Sequence, residues 1–501
     1  MRNYRGVKRL VTFETPIQHV VVIVMENRTV DNLFAGYYGQ SFPNPAYPTW
    51  QQALNLYNPA ATPTLTPMPL EANIDPDHSH GGLESQGGFK NEVSQGFGSE
   101  RFGCGSADSC SQTPTAFAYV PPSETGVYAQ LITNWASANN VYQSNQGPSF
   151  VSHQYLIAAQ SGGIPNSLSA PLAEAENPST PPPGGITYPE DPAQDIARSG
   201  GCNIAGINDQ TLNMSGRYSQ LEGKNKSIFP CEEYASNTIL DEITNVEGIP
   251  TYYDWQYIAA SEGSIWSAPI GVNHLYTAYN NAVANGTTAT QPFAVDVNAA
   301  NFAANLYGPG PTPRPIANLT YITPCLQNSD HPGTSGVENG PAWVGWLVNA
   351  IGESAYWKTT TILITWDDWG GWFDHMPANP PQFPYPNAYS IAYGPNAVPD
   401  SNEWGFRVPL IAISPYGVGA AYVSQPTSPN GVPYRSQAAI MQYVEATFNL
   451  PSLNGDDFYQ NLNSKGEPTD FLKDMFNYNL ATPRPFVPVT GVGSTPPPCQ
   501  Q

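Results

Sequence analysis

An α/β sandwich with a mostly parallel sheet is the fold this sequence predicts, and three observations predict it. Short β-branched apolar runs alternate with stretches of helical spacing. The strongest run, residues 17–25 (IQHVVVIVM), is nearly continuous in apolar side chains, as a strand buried on both faces requires. It stops abruptly at Glu26-Asn27-Arg28-Thr29, and sheets of this kind place ligands at the carboxyl ends of buried strands.

The other elements follow in order. Residues 128–138 have helical spacing, and residues 318–323 (NLTYIT) read as a strand. Pro341, with Gly340 before it, opens a helix on which Trp343, Trp346, Leu347, Ala350 and Ile351 recur at helical intervals. Residues 361–366 form the next strand and end in Asp367-Asp368; residues 408–414 form another. Ser436 can cap a helix reaching Phe448, with Ile440, Val444 and Phe448 on one face. The expected organisation is one domain over residues 1–481, interrupted by Pro-rich insertions near 38–69 and 174–194. A peripheral Pro-rich tail, 482–501, follows.

Composition narrows the partners. Eighteen Lys and Arg stand against 40 Asp and Glu, a net charge of -22, which repels a nucleic-acid backbone. An anionic substrate would therefore need a local cation, either a metal or a few Arg and His side chains. The 52 Pro and 44 Gly require much ordered loop, and a charged fraction of 12% resembles that of exported proteins. None of the six cysteines forms a CxxC pair, so a structural zinc site is not expected. Cys104 and Cys110 flank a short loop that a disulfide could close, and the even count leans towards an oxidising compartment. No run of about 18 apolar residues suggests a transmembrane helix. The first residues lack the apolar core of a signal peptide, so a secreted or periplasmic protein would have lost its signal before this numbering begins.

Two strand ends carry adjacent acidic or amide groups, Glu26-Asn27 and Asp367-Asp368. If they converge, three carboxylates and an amide oxygen call for a hard cation, because ionised carboxylates cannot share a small space alone. Capping of helices is the alternative role for each pair. In GPSFVSHQYLIAAQSGG, Ser149 follows Gly-Pro where a helix can start, and the positive end of its dipole favours an alkoxide there. An ordinary N-cap serine is the competing reading. His78 and His80 (DPDHSH), His331 (SDHPG) and His375 (GGWFDHMP) sit in polar or Gly/Pro-rich stretches of the kind that close over sites. A surface role stands equally open for each.

Three segments in order then give a resemblance. HVVVIVMENRTVDNLFAGYYG is similar to a strand followed by E-N-R-S-F-D-x-x-F-G. YQSNQGPSFVSHQYLIA is similar to G-P-[ST]-x-P-N-x-x-Y-L, and TILITWDDWGGWFDHMP to a strand followed by [WY]-D-[ED]-x-G-G-x-[FY]-D-H. These are motifs of the bacterial phospholipase C and acid phosphatase phosphoesterases of the alkaline phosphatase superfamily. The resemblance implies a three-layer, alkaline-phosphatase-like sandwich with long loop insertions. It also implies one divalent metal, Ca, Mg, Mn or Zn, held by Glu26, Asn27, Asp367, Asp368 and the oxygen of Ser149. Ser149 would be the nucleophile and pass through a phosphoserine. His78, His331, His375 and, on a looser motif, His274 would bind phosphoryl oxygens or protonate the leaving group. The implied partner is a small phosphate ester, acid-phosphatase-like, or a phospholipid head group.

The sequence also departs from the pattern. Trp369 follows Asp367-Asp368 where relatives carry His, Asn or Asp, and Ser436-Gln437 stands where the family has Asp-His, so one metal is expected and not two. Ser152-His153 replaces Asn-Arg, which leaves His153 open to a role in the site or on a helix face. Trp366, Trp369 and Trp372 flank the acidic pair as candidate pocket walls, with packing favoured for Trp366. A sulfatase would need [CS]-x-P-x-R, and residues 149–153 lack both the Pro and the Arg. An inactive binding or surface protein on the same scaffold is the alternative of another class.

Overall fold

A computed structural model describes residues 14–34, 66–76, 78, 102–103, 116–145, 149–159, 202, 238–244, 254–259, 266–285, 293–295, 316–333, 338–374, 404–424, 435–453 and 472–499. Eight of the described strands form one sheet. They are β1 (His19–Met25), β2 (Ala136–Ala138), β3 (Trp255–Ala259), β4 (Phe293–Val295), β5 (Leu319–Ile322), β6 (Thr360–Trp366), β7 (Leu410–Ile413) and β8 (Tyr422–Ser424). Their order across the sheet is β8-β2-β7-β6-β1-β5-β3-β4. β1 lies parallel to β5 and β6, and β7 alone of the eight runs against its neighbours.

The centre is dry on both sides. Every residue from Val20 to Met25 is fully buried, so both faces of β1 are covered. The helices that cover them are α1 (Gly126–Asn134), α2 (Ser149–Ala158), α3 (Ile239–Thr244), α4 (Asn273–Ala284), α5 (Gly340–Gly352) and α6 (Ala438–Phe448). α1 packs with α5, while α2, α3 and α6 pack together. The result is the expected three-layer sandwich, with a mostly parallel sheet between helices.

Three differences from the sequence reading have physical causes. The helix expected over 128–138 ends at Asn134, and the chain turns extended at Trp135 to become β2. Trp135 is fully buried against Trp357 and Phe486, and this anchor pulls the chain out of the helix. α6 begins at Ala438, whose N–H donates to Ser436 Oγ at 3.1 Å, so the serine satisfies the helix start from two residues back.

The third difference is the tail, which is not peripheral along its length. Phe486 packs on the core where a Cβ on Gly352 would collide with it, and Val489 is buried. Asn349 on α5 pairs with the Val489 backbone through two hydrogen bonds of 2.8 Å. A disulfide from Cys325 to Cys499 closes the strap. Cys202 is also disulfide-bonded, while Cys104 and Cys110 lie outside the described residues. The insertion at 174–194 and most of that at 38–69 lie outside them too. No helix of the described residues is long and apolar enough to cross a membrane.

Candidate active site

Strand register brings the two acidic pairs together. β1 and β6 are parallel neighbours whose last residues, Met25 and Trp366, stand side by side. The next residues, Glu26-Asn27 and Asp367-Asp368, must therefore emerge together at the carboxyl edge. Asp367 N–H donates to Met25 O at 2.9 Å, and Asn27 N–H donates to Asp367 Oδ1 at 2.8 Å. On the other flank β5 leads to the loop of His331, and Glu26 N–H donates to Ser329 O at 2.8 Å.

Tight backbone keeps this edge in place. Asn27 has φ +60 and Asp330 has φ +71, left-handed conformations that cost energy in non-glycine residues and gather at functional sites. Gly370, at φ +63, lies so close that a Cβ there would fall on the Asn27 carbonyl. Arg28 ties three segments: its guanidinium donates to Asp330 O at 2.7 Å, Asn32 Oδ1 at 3.0 Å and Leu70 O at 3.3 Å. It also lies over the Trp372 ring at 5.1 Å.

Ser149 is the first residue of α2, so the positive end of that helix meets the acidic edge. Its Oγ is 3.1 Å from both Asn27 Oδ1 and Asp368 Oδ2. A hydroxyl has one proton and cannot donate to both oxygens at once. Glu26, Asp367, Asp368 and Ser149 are all fully buried. Three buried carboxylates, an amide and a hydroxyl oxygen gathered at one edge are donors of the kind a hard cation can take.

The amide of Asn27 lies between the carboxylate edge and two histidines. His78 Nδ1 lies 2.8 Å from Pro76 O, and His331 Nδ1 lies 2.6 Å from Pro332 O. Carbonyls only accept, so each ring carries a proton on Nδ1 and, when neutral, turns a bare Nε2 inward. Asn27 Nδ2 donates to His78 Nε2 at 2.9 Å, which leaves Oδ1 facing Ser149. Turned over, the amide nitrogen would face Ser149, Asp367 and Glu26, and its oxygen would face His78 Nε2 and His331 Nε2. That orientation needs protonated rings.

Several expected residues therefore meet here: Glu26, Asn27, Ser149, Asp367, Asp368, His78 and His331. The His78 and His331 rings stand edge to face at 6.0 Å, and Trp266 lies against His331 at 5.6 Å. Burial pushes the His331 pKa down. His274 is placed differently: it pairs with Asp241 at 2.9 Å, with 42% of its side chain exposed. His375 lies outside the described residues. Trp366, Trp369 and Trp372 are buried packing groups, Trp366 against Tyr128 and Phe34 and Trp369 against Phe406.

Two residues gain a definite place. His153 Nε2 lies 2.9 Å from Glu26 Oε1 and 3.9 Å from Asp367 Oδ2, which resolves the open choice in favour of the site. The signal was present in the sequence, since His153 follows Ser149 by four residues and so shares its helix face. Burial pushes the His153 pKa down to about 4, against the opposing pull of Asp367. Gln437 donates to the carbonyls of Trp366 (2.7 Å) and Asp367 (2.9 Å) and accepts from Ser144 N–H (3.1 Å). It fastens the end of β6 as a neutral amide.

The chain is 22% identical over 449 residues to non-specific phospholipase C6 of Arabidopsis thaliana, covering 88% of this chain and 69% of that protein. It is 28% identical over 209 residues to phospholipase C A of Mycobacterium tuberculosis, covering 38% of this chain and 36% of the relative. Among solved structures, a protein of the alkaline phosphatase superfamily from Vibrio parahaemolyticus aligns over 92% of this chain and 74% of its own, with 9% identity and a TM-score of 0.34. The model of the Phosphoesterase family matches residues 17–451, a span holding both acidic pairs, Ser149 and the two inward histidines. The chain thus belongs to the Phosphoesterase family and is a phosphoric ester hydrolase.

Proposed function

We propose that this protein cleaves phosphate esters with Ser149 as nucleophile beside one divalent metal. Glu26, Asn27, Asp367, Asp368 and the Ser149 oxygen would hold the ion. The observation that carries this reading is Ser149 Oγ at 3.1 Å from both Asn27 Oδ1 and Asp368 Oδ2, at the start of a helix. When bound, the metal offsets the ester's negative charge and eases deprotonation of the serine hydroxyl. Ser149 Oγ forms a bond to phosphorus as the bond to the leaving oxygen breaks, which gives a phosphoserine. His78 and His331 face the phosphoryl group with Nε2. In the imidazolium form that atom donates to a phosphoryl oxygen or hands its proton to the leaving oxygen. Water then attacks phosphorus, the Oγ–P bond breaks, and Ser149 regains a proton.

The named relatives are phospholipases C, so a phospholipid head-group diester is the first substrate to test and a small monoester the second. The Cys325–Cys499 disulfide supports a secreted or periplasmic setting. The test is turnover of p-nitrophenyl phosphorylcholine and p-nitrophenyl phosphate after chelation and after return of Ca, Mg, Mn or Zn. An acid quench during turnover should leave one phosphate on the peptide containing Ser149. Ser149→Ala should lose about 1000-fold or more in rate, as covalent nucleophiles do. Full activity in S149A, or in the chelated protein, would exclude the mechanism.

A further inference from the structure

His153 belongs to neither the nucleophile nor the inward histidine pair, yet it is fully buried against two of the carboxylates. Two roles fit a histidine in that position, a metal ligand or a donor that orients one, and its ring nitrogens separate them. Nε2 meets Glu26 Oε1 at 2.9 Å. Nδ1 is buried and has no hydrogen-bond partner among the described residues.

A ring that ligated an ion through Nε2 would carry its proton on Nδ1. Metal-bound imidazoles almost always give that second N–H to an acceptor, and none is present here. A buried, orphaned N–H is the more costly kind of unsatisfied group. A doubly protonated ring would orphan the same N–H. The remaining arrangement places the proton on Nε2, donating to Glu26, and leaves only a lone pair on Nδ1. We infer that His153 is a positioning residue: its Nε2–H holds the Glu26 carboxylate in the geometry that receives the metal, and the ring is not itself a ligand.

The consequences are specific. Ser149 and His153 stand four residues apart on α2, so one helix supplies both the hydroxyl and the group that aims the opposite carboxylate. The position of α2 against the end of β1 then sets two parts of the site together. A side chain that keeps an N–H at the Nε2 position should preserve the function, whereas a true ligand would not tolerate that exchange. Gln is such a side chain, because its amide nitrogen reaches about as far as Nε2.

This inference rests on the metal-dependent reading, and the test separates the two. Mn2+ affinity is measured by calorimetry and by Mn2+ spin resonance on wild type, H153A and H153Q, without substrate. H153A should weaken Mn2+ binding about 10- to 100-fold, and H153Q should stay within a few-fold of wild type. H153Q as weak as H153A, or Mn2+ bound equally by wild type and H153A, would overturn the positioning role alone. A wild-type protein that takes up no Mn2+ would overturn both readings. Because a buried alanine could disturb folding, the proton is also located directly. A long-range 1H–15N spectrum of the metal-free wild type should show His153 protonated at Nε2, and protonation at Nδ1 would refute the inference.

Discussion

Two groups of buried carboxylates grow from the same pair of strand ends, and they are satisfied in opposite ways. Asp31 and Asp374 are closed by Arg407. Its guanidinium grips Asp374 through Nε (2.9 Å) and Nη2 (3.1 Å) and reaches Asp31 at 3.0 Å. The Arg407 pKa is accordingly raised, burial being outweighed by Asp374 and Asp31. A few residues nearer the strands, Glu26, Asp367 and Asp368 meet a hydroxyl, an amide and the His153 imidazole. The first group carries its own cation and acts as a lock between segments. The second, on the proposed reading, would receive a cation from outside. Burial and acidity alone do not distinguish them; the partner that faces the carboxylates does.

Substitutions should divide along the same line. Asp368→Asn keeps an oxygen that can accept from Gly370 N–H, now 2.7 Å from Asp368 Oδ1, but removes a charge from the crowded edge. It should lower phosphoesterase turnover about 1000-fold, while the metal-free protein melts no lower than wild type, because repulsion among buried carboxylates is relieved. Thermal unfolding with and without chelator, beside turnover, checks both halves. Arg407→Leu strands two buried carboxylates and should cost about 3–5 kcal/mol by denaturant unfolding. A loss below 1 kcal/mol would show that the lock is not structural.

The smallest effect is a dependence on pH. The His153 pKa of about 4 lies below its ordinary value of 6.5. Between those values the unfolded chain binds a proton that the folded chain does not. The contribution is therefore complete above about pH 6.5 and is lost as pH falls towards 4, roughly 3 kcal/mol in the metal-free protein. The acid slope of stability should be shallower in H153Q than in wild type. Equal slopes would place the titration elsewhere.

Some of this was legible in the sequence, and the reasons differ by element. β1 and β6 could be read because burial on both faces demands continuous β-branched runs, and both end at a sudden polar step. Their adjacency, which creates the site, has no local signal; it follows from pairing across more than three hundred residues. His153 was ambiguous because a helix-face histidine looks the same whether it meets solvent or Glu26, although its spacing from Ser149 pointed inward. The looser motif around His274 led to Asp241. The tail's anchoring contacts had no signal in the sequence, because proline content reports the lack of regular structure and not the lack of contacts. Phe486, Val489 and the Cys325–Cys499 bond supply those contacts.

The central place of β1 has a consequence for synthesis. Its neighbours pair with it at Val20–Leu319 and His19–Thr360, about 300 residues or more downstream. At about 5–20 residues per second, the ribosome needs roughly 15–60 s to produce the first of them. Throughout that interval this apolar strand has neither of its edge partners. Production of this protein is thus expected to be limited by whatever shields residues 19–25 before their partners arrive, and slower translation or cooler growth should change the yield more than the stability of the finished fold.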